Sequence, residues 1–591
     1  MTTNSKQSAI NKHAFKPLAL AIFMAIAGSA QAQTFSVNNT NDSGDGSLRK
    51  AISDANAAAG EDTILFSGIT QETITLTSGA LSITDDLIIS GSIAGDASSI
   101  VISGNNSGRI IDSRGASLTL ENLTLRDAKS IVVGAKNVAQ IIERGEPGPK
   151  KTKGGAITFD YTSSVAKKSK LQAAPAPSVN FNLNHTLITG NSSANSGGGI
   201  YVRINDGEIS INDSIISGNS SSGRGGGAYL RSNDGNISIN KSKIINNNTT
   251  EKYGRNGGAF IRSFNGDLSV TDSIISGNST NDNIGGMSLS SYYGAITVTR
   301  STVSDNTAGS GIGGMSLSSY EGDIKIVDST ISGNTAQSET GGLKIYSYYG
   351  NTLINQSTIS GNTAKSHAAL FIDSGFYIAS TTINNSTITN NTATDKSGGI
   401  TALSTVTLIN SILSGNNAPE NKNFSYQTER IIRLRPAPLN NRFAKLRKAH
   451  KNIKAAAPAP VTVTINLSNT LFGDPKASIA AILGTDIDNI FNPDPKLGPL
   501  QNNGGPTLTH QPLAGSPAID AGDDAAVAGV AFDQRGEGFT RVYGAKVDIG
   551  ALEKQPHAGQ PIPILSLPGL FALLAGLFGF GRWRSRVVKP K

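Results

Sequence analysis

Gly285-Gly-Met-Ser-Leu-Ser-Ser-Tyr-Tyr-Gly-Ala-Ile-Thr-Val-Thr-Arg-Ser-Thr-Val-Ser-Asp-Asn306 is the stretch that decides the fold. It holds three short runs of period-two alternation, separated by Gly and Asn turns, with no apolar 3.6-residue pattern. Its closing phrase recurs nine times between His185 and Asn416. The terminal asparagines are Asn191, Asn219, Asn247, Asn278, Asn306, Asn334, Asn362, Asn391 and Asn416, at steps of 28, 28, 31, 28, 28, 28, 29 and 25 residues. A repeat of that length marks a solenoid. Three strands per turn in register predict an all-β right-handed parallel β-helix, a pectate-lyase-like solenoid. Val202, Leu230, Ile261, Leu289, Leu317 and Ile345 should stack inward as one apolar ladder. The asparagines suit a left-handed turn, and their amides can hydrogen-bond from coil to coil.

Around this core the chain divides into segments. Residues 1–32 read as an export signal: lysines, an apolar run from Leu18 to Ala27, and Ala30-Gln31-Ala32 as a small-x-small cleavage site. Residues 33–130 form an N-terminal cap and first coils. Their Leu48, Ala51, Ile52 and Ala55 lie on one face of a short helix that should cover the open end of the solenoid. Residues 131–178 are a lysine-rich insertion, 179–419 the regular coils, and 420–460 an Arg/Lys-rich insertion. Both insertions end in Ala-Ala-Pro-Ala-Pro, as loops thrown out from equivalent corners. Within the second, Arg442 to Lys454 fits a basic amphipathic helix. It reads either as a contact for anionic glycan or membrane, or as a solvated excursion.

The 591 residues contain no cysteine, which excludes disulfides and thiol catalysis. The net charge of +8 resides entirely in the leader (+3) and the tail (+5). The body, 33–555, is neutral, so no nucleic-acid partner is expected.

The outward columns carry the strongest functional signal. Counted back from the turn glycines Gly207, Gly235, Gly266, Gly294, Gly322 and Gly350, position −6 holds Tyr201, Tyr229 and Phe260. Position −4 holds Arg203, Arg231 and Arg262, and position −2 holds Phe264, Tyr292, Tyr320 and Tyr348. Alternation predicts one solvent-facing aromatic band flanked by arginines, suited to the apolar faces and hydroxyls of a polysaccharide. Ring stacking also stabilises a β-helix without any ligand.

Catalysis finds no support. Asp206, Asp234 and Asp323 stand at turns without a second acidic column, Asp85-Asp86 is a turn pair, and the six histidines lack metal-ligand spacing. No catalytic residue, metal or cofactor is therefore assigned. A polysaccharide lyase or hydrolase and a passive spacer are the alternatives to a glycan-binding adhesin.

Two segments bear family resemblances. Phe35 to Asn56, with Ser47-Leu-Arg-Lys-Ala51, resembles the opening of bacterial surface β-helix proteins. Leu497-Gly-Pro-Leu-Gln-Asn-Asn-Gly-Gly-Pro506, Gly515-Ser-Pro-Ala-Ile-Asp520, Asp533-Gln-Arg-Gly536 and Val547-Asp-Ile-Gly-Ala-Leu-Glu553 occur in order and resemble the choice-of-anchor Q module, within the segment 461–555. The resemblance implies a protein of the Gram-negative cell surface without general catalytic residues. His510, Asp520, Asp533 and Arg535 are expected to form a polar network closing the last coil. In the tail, 556–591, Ile562, Pro563, Leu565, Ser566 and Gly569 are similar to the sorting motif handled by exosortase-like transpeptidases. Residues 563–581 would enter the membrane and Arg582, Arg584 and Arg586 would stop transfer.

Overall fold

The computed structural model describes residues 31–69, 72–91, 100–130, 132–133, 150–151, 153–161, 178–251, 255–374, 379–426 and 463–555. They form a right-handed parallel β-helix. One coil runs Ile200–Ile204, Ile209–Asn212, Ile215–Ser217 and Ser220–Ser221, and each strand pairs in parallel with its counterpart a coil away. These strands define sheets one to four, of 12, 15, 14 and 9 strands. The three strands per turn expected from the sequence are present. The fourth, two residues long, follows each ladder asparagine from Asn191 to Asn391 and was not anticipated.

The inward ladder holds: Val202, Leu230, Ile261, Leu289, Leu317 and Ile345 are in register and at most 1% exposed. Each such side chain contributes about 1.5–3 kcal/mol by leaving water. The asparagine column is buried as well. Asn219 Nδ2 donates to Asn247 Oδ1 at 3.0 Å and to Ile188 O of the preceding coil at 3.0 Å, while Asn219 N donates to Asn247 Oδ1 at 3.0 Å. The pattern repeats through Asn278, Asn306, Asn334, Asn362 and Asn391, then passes through Asn416 and Asn423 to end on the Asp474 carboxylate. The left-handed conformation, however, belongs to the residue before each asparagine: Gly190, Gly218, Asn246, Gly277, Asp305, Gly333, Gly361, Asn390 and Gly415 all have positive φ. The amide serves the ladder and its neighbour makes the turn. A second buried column, Ser214, Ser242, Ser273, Ser301, Ser329 and Ser357, takes backbone N–H bonds from the preceding coil at 3.0–3.2 Å. The two columns bracket each strand of sheet three.

Helix α1, Leu48–Ala55, is capped by Ser47, buries Leu48, Ala51, Ile52 and Ala55, and packs on Thr34–Val37, Asp62–Phe66 and Leu81–Ile83. Among its described residues the lysine-rich segment 131–178 contains one solenoid strand: Ile157–Tyr161 pairs with Ile111–Ser113 and with Ile200–Ile204 in sheet one. Residues 162–177 and 427–462 lie outside the described residues; the strands before them, Ile157–Tyr161 and Phe424–Tyr426, belong to sheet one, and the strands after them, Phe181–Asn184 and Ile465–Ser468, to sheet two. The leader up to residue 30, the basic run Arg442–Lys454, and the sorting motif and apolar run of the tail lie outside the described residues. Among the described residues no helix is long and apolar enough to cross a membrane.

The segment after Phe491 does not close the last coil. It turns back along the outer face of sheet three, where the antiparallel pair Leu497–Gln501 and Thr509–Pro512 forms its only ladder among the described residues. Thr507 Oγ1 donates to Asp328 O (3.1 Å), Thr330 Oγ1 to Leu508 O (2.6 Å) and Thr358 Oγ1 to Gln534 Oε1 (2.7 Å). Farther along, Asn410 Nδ2 donates to Asp523 O at 3.0 Å and Ala551 N to Thr387 Oγ1 at 3.1 Å. The outward residues Thr330, Thr358 and Thr387 are thereby buried, whereas Ile274 at the same position of an earlier coil is 38% exposed.

Asn306→Ala removes the acceptor used by Asn278 Nδ2 and N and leaves both donors buried. We expect a local loss of about 2–4 kcal/mol, read as faster amide exchange in the adjoining coils. Ser304→Ala, at a half-exposed hydroxyl, should change exchange by less than about 0.5 kcal/mol.

Candidate functional site

The outward face of sheet one brings the predicted columns together but divides them. Register pairs Tyr201 with Tyr229 and Phe260, and Arg203 with Arg231 and Arg262. Tyr201 and Tyr229 stack at 4.7 Å and Tyr229 and Phe260 at 5.0 Å. After Phe260 this column continues as Ser288 and Ser316, so the ring stack ends there. A second stack starts on the same coil at Phe264: Phe264–Tyr292 at 5.0 Å, Tyr292–Tyr320 at 4.3 Å and Tyr320–Tyr348 at 5.4 Å. The single aromatic band expected from the sequence is two ladders, offset by two columns.

Their surroundings differ. Tyr201 and Tyr229 point outward yet are only 3% and 8% exposed. Lys153 Nζ lies 4.7 Å over the Tyr201 ring and bonds its hydroxyl at 3.0 Å, and the Arg224 guanidinium lies 5.1 Å over Phe260. The first ladder is thus a covered platform, not a solvent-facing one. Alternation fixes which way a side chain points and says nothing of what lies on top of it. The second ladder is open: Tyr348 is 37% exposed, and Tyr292, Tyr320 and Phe264 are half-buried. Tyr293 and Tyr349, which the columns passed over, widen it. Tyr293 meets Phe264 and Tyr292 edge-on at 5.2 and 4.7 Å, and Tyr349 meets Tyr320 at 5.0 Å. The doubled Tyr-Tyr before Gly294 and Gly350 was the available signal.

The arginine column is half-buried. Burial pushes the Arg262 and Arg224 guanidiniums down, and neighbouring arginines add to the effect: Arg231 and Arg224 around Arg262, Arg255 and Arg231 around Arg224. Stacked cations at the coil spacing of ~5 Å repel by about 1 kcal/mol per pair even at the dielectric of water.

The expected acidic candidates are turn acceptors. Asp86 Oδ1 accepts from Ser117 N at 2.6 Å, and Asp323 Oδ1 from Asn351 N at 2.9 Å. Asp234 accepts from the Asn265 amide. His367 is buried against Phe371 and bonded to Thr401 Oγ1 at 2.9 Å, and burial lowers it to about 4. Among the described residues no group of three or more His, Asp or Glu side chains could hold a metal ion.

The C-terminal segment holds the other concentration of charge, beside a cleft of about 530 Å³ lined in part by Leu513, Asp520, Tyr543, Asp548, Glu553 and Lys554. Its carboxylates are committed to backbone donors. Asp548 accepts from Asp520 N (2.7 Å) and Lys554 N (2.6 Å), Glu553 from Tyr543 N (3.0 Å) and Asp548 N (2.9 Å), and Asp520 from Ala545 N (2.7 Å). Asp533 pairs with Arg535 at 2.6 Å and accepts from Glu553 N at 2.9 Å. His510 Nε2 meets Ser360 Oγ at 2.7 Å. With little β-ladder of its own, this segment satisfies its buried amides with side-chain carboxylates. The four residues expected to form one polar network do not do so: Asp533 pairs with Arg535, Asp520 connects to them only through Asp548 and Glu553, and His510 stands apart, bonded to Gly498 O and, on the flank of the solenoid, to Ser360. Arg541, fully buried and bonded to Asn385 Oδ1 at 3.1 Å, is a clasp residue that sequence reading missed.

The chain matches no family model and no curated protein.

Burial pushes Glu553 up to about 7 and Asp328 up to about 6, from ordinary values of 4.5 and 3.8. The folded protein therefore holds these protons more tightly than the unfolded chain, and stability falls as pH rises from about 4.5 to 7. We expect slower opening of the 497–553 segment at about pH 5 than at about pH 7.5, by hydrogen exchange corrected for intrinsic rates. Glu553→Gln should reduce that slope. Stability rising through the same window would contradict the assignment.

Proposed function

We propose that this chain is an exported, surface-displayed β-helix that binds a polysaccharide along sheet one without chemically altering it. The observation that carries the reading is the open ladder Phe264–Tyr292–Tyr320–Tyr348, widened by Tyr293 and Tyr349. Its rings recur at the coil repeat of about 4.8 Å and offer apolar faces edged by hydroxyls, the two features a sugar ring presents in complement. Sheet three is covered along four coils by the C-terminal segment, which leaves sheet one as a long accessible face with aromatic character. In this reading α1 shields the first coil from edge-to-edge pairing. The leader 1–32 directs export, and the choice-of-anchor Q-like segment followed by Ile562, Pro563, Leu565, Ser566 and Gly569 hands the tail to a membrane-bound, exosortase-like transpeptidase.

The test is a glycan array probed with the purified protein and with the triple variant Tyr292→Ala, Tyr320→Ala, Tyr348→Ala. Folding is checked by circular dichroism, since each stacked pair adds about 0.5–1.5 kcal/mol of stability. We expect saturable binding that weakens at least tenfold, or about 1.4 kcal/mol, in the variant. Undiminished binding would remove the ladder from the site, and a blank array would remove the function.

A further inference from the structure

We propose that the polysaccharide is acidic, with its carboxylate or sulfate groups seated on Arg203, Arg231 and Arg262 and on the adjacent Arg224. This rests on the glycan reading above and names the ligand class.

Elsewhere the protein pairs many of its cations: Arg49 with Asp42, Arg300 with Asp272, Lys344 with Glu339, and Arg535 with Asp533, at 2.6–2.7 Å. Among the described residues Arg203, Arg224, Arg231 and Arg262 have no such partner, although three of them stack in register on successive coils. Asp160, the neighbour of Arg203 in the same column, is drawn instead to Lys153 at 3.6 Å. Like charges directly opposite one another in a sheet destabilise it. A column of stacked, unpaired guanidiniums of this kind gains from an anion arriving from outside.

The geometry favours a polymer over a single ion. The arginines recur once per coil, so a chain with regularly spaced anions meets one guanidinium after another, each able to grip a carboxylate or sulfate through two N–H groups. The column also leads into the open ladder, because Phe264 follows Arg262 by two residues, in the turn just after strand Ala259–Arg262. Arginines and rings together form one track of six coils, about 24 Å long. The arginines would hold the anions at one end while the rings take sugar faces at the other. The body of the protein, 33–555, is neutral in sum with these arginines included, so this is a local feature and not a general basic surface.

Dextran, carboxymethyl dextran and dextran sulfate share a backbone and differ in charge, so they isolate the claim. Titration of the full-length protein should show at least tenfold tighter binding to one of the two charged polymers than to dextran, weakening with salt. Arg203→Gln, Arg231→Gln, Arg262→Gln together should bring that binding down to the dextran level, and the corresponding Lys triple should recover part of it. Arg231→Gln alone should leave the melting temperature unchanged or raise it, since it breaks a repulsive stack. A fall would mean that the arginines hold the fold, and would overturn the proposal. Equal binding of charged and neutral polymers, lost in the tyrosine triple but not in the arginine triple, would overturn the acidic ligand and keep the glycan reading. Loss in the arginine triple alone would keep the anion track and remove ring stacking. Inorganic phosphate competing as strongly as the charged polymer, a single-stranded oligonucleotide binding more tightly than either, or no binding at all would each overturn it.

Discussion

A buried side-chain amide that bonds the coil above and the coil below is the constraint on which this molecule depends. Parallel strands of two to five residues carry few hydrogen bonds each and allow slippage, and a slip of one residue would exchange the inner and outer faces. The asparagine column prevents this. Each Nδ2 reaches the carbonyl of one neighbour and the Oδ1 of the other, and that Oδ1 also takes a backbone N–H. A shifted coil would leave at least one of these groups buried and unpaired. The serine column repeats the device on the other side of sheet three. Between the two, every coil is held at one register, and the outward columns of sheet one inherit that order.

Strict register turns a linear repeat into a surface. Once coils superpose residue by residue, a substitution in one repeat places a chemical group at a known height along a column. The early coils carry arginine and covered rings, the middle coils open rings, and a later one the Lys344–Glu339 pair. The C-terminal segment works on another flank. It takes threonine hydroxyls from three coils and the Asn410 amide from a fourth as partners, and ties together repeats that otherwise touch only their neighbours. In a one-dimensional fold such a strap couples coils that would open independently.

Much of this was legible in the chain. The period, the alternation and the closing asparagines identified the coils, the apolar ladder and the amide ladder, because each depends on residues repeated at constant spacing. What escaped notice depends on something else. The strand Ser220–Ser221 is too short to show alternation. Ile157–Tyr161 sits among lysines and Pro-Ala pairs that mask one coil strand within an irregular stretch. The left-handed turn falls on whichever of Gly, Asn or Asp precedes the ladder asparagine, so a varied column hid behind an invariant one. The cover over Tyr201 and Phe260 comes from Lys153 and Arg224, outside the columns themselves, and only the folded chain brings them there. The backward path of residues 497–553 left no periodic trace, since its amides are satisfied by scattered carboxylates.

The proposed activity depends on which face of the solenoid meets the ligand. Hydrogen exchange of the full-length protein, with and without a saturating charged dextran, reads that directly. Protection should extend over the sheet-one strands from Ile200–Ile204 to Leu343–Ser347 and the turns that follow them, with sheet three unchanged. Protection confined to the 497–553 segment, or an identical exchange pattern in both states, would contradict it.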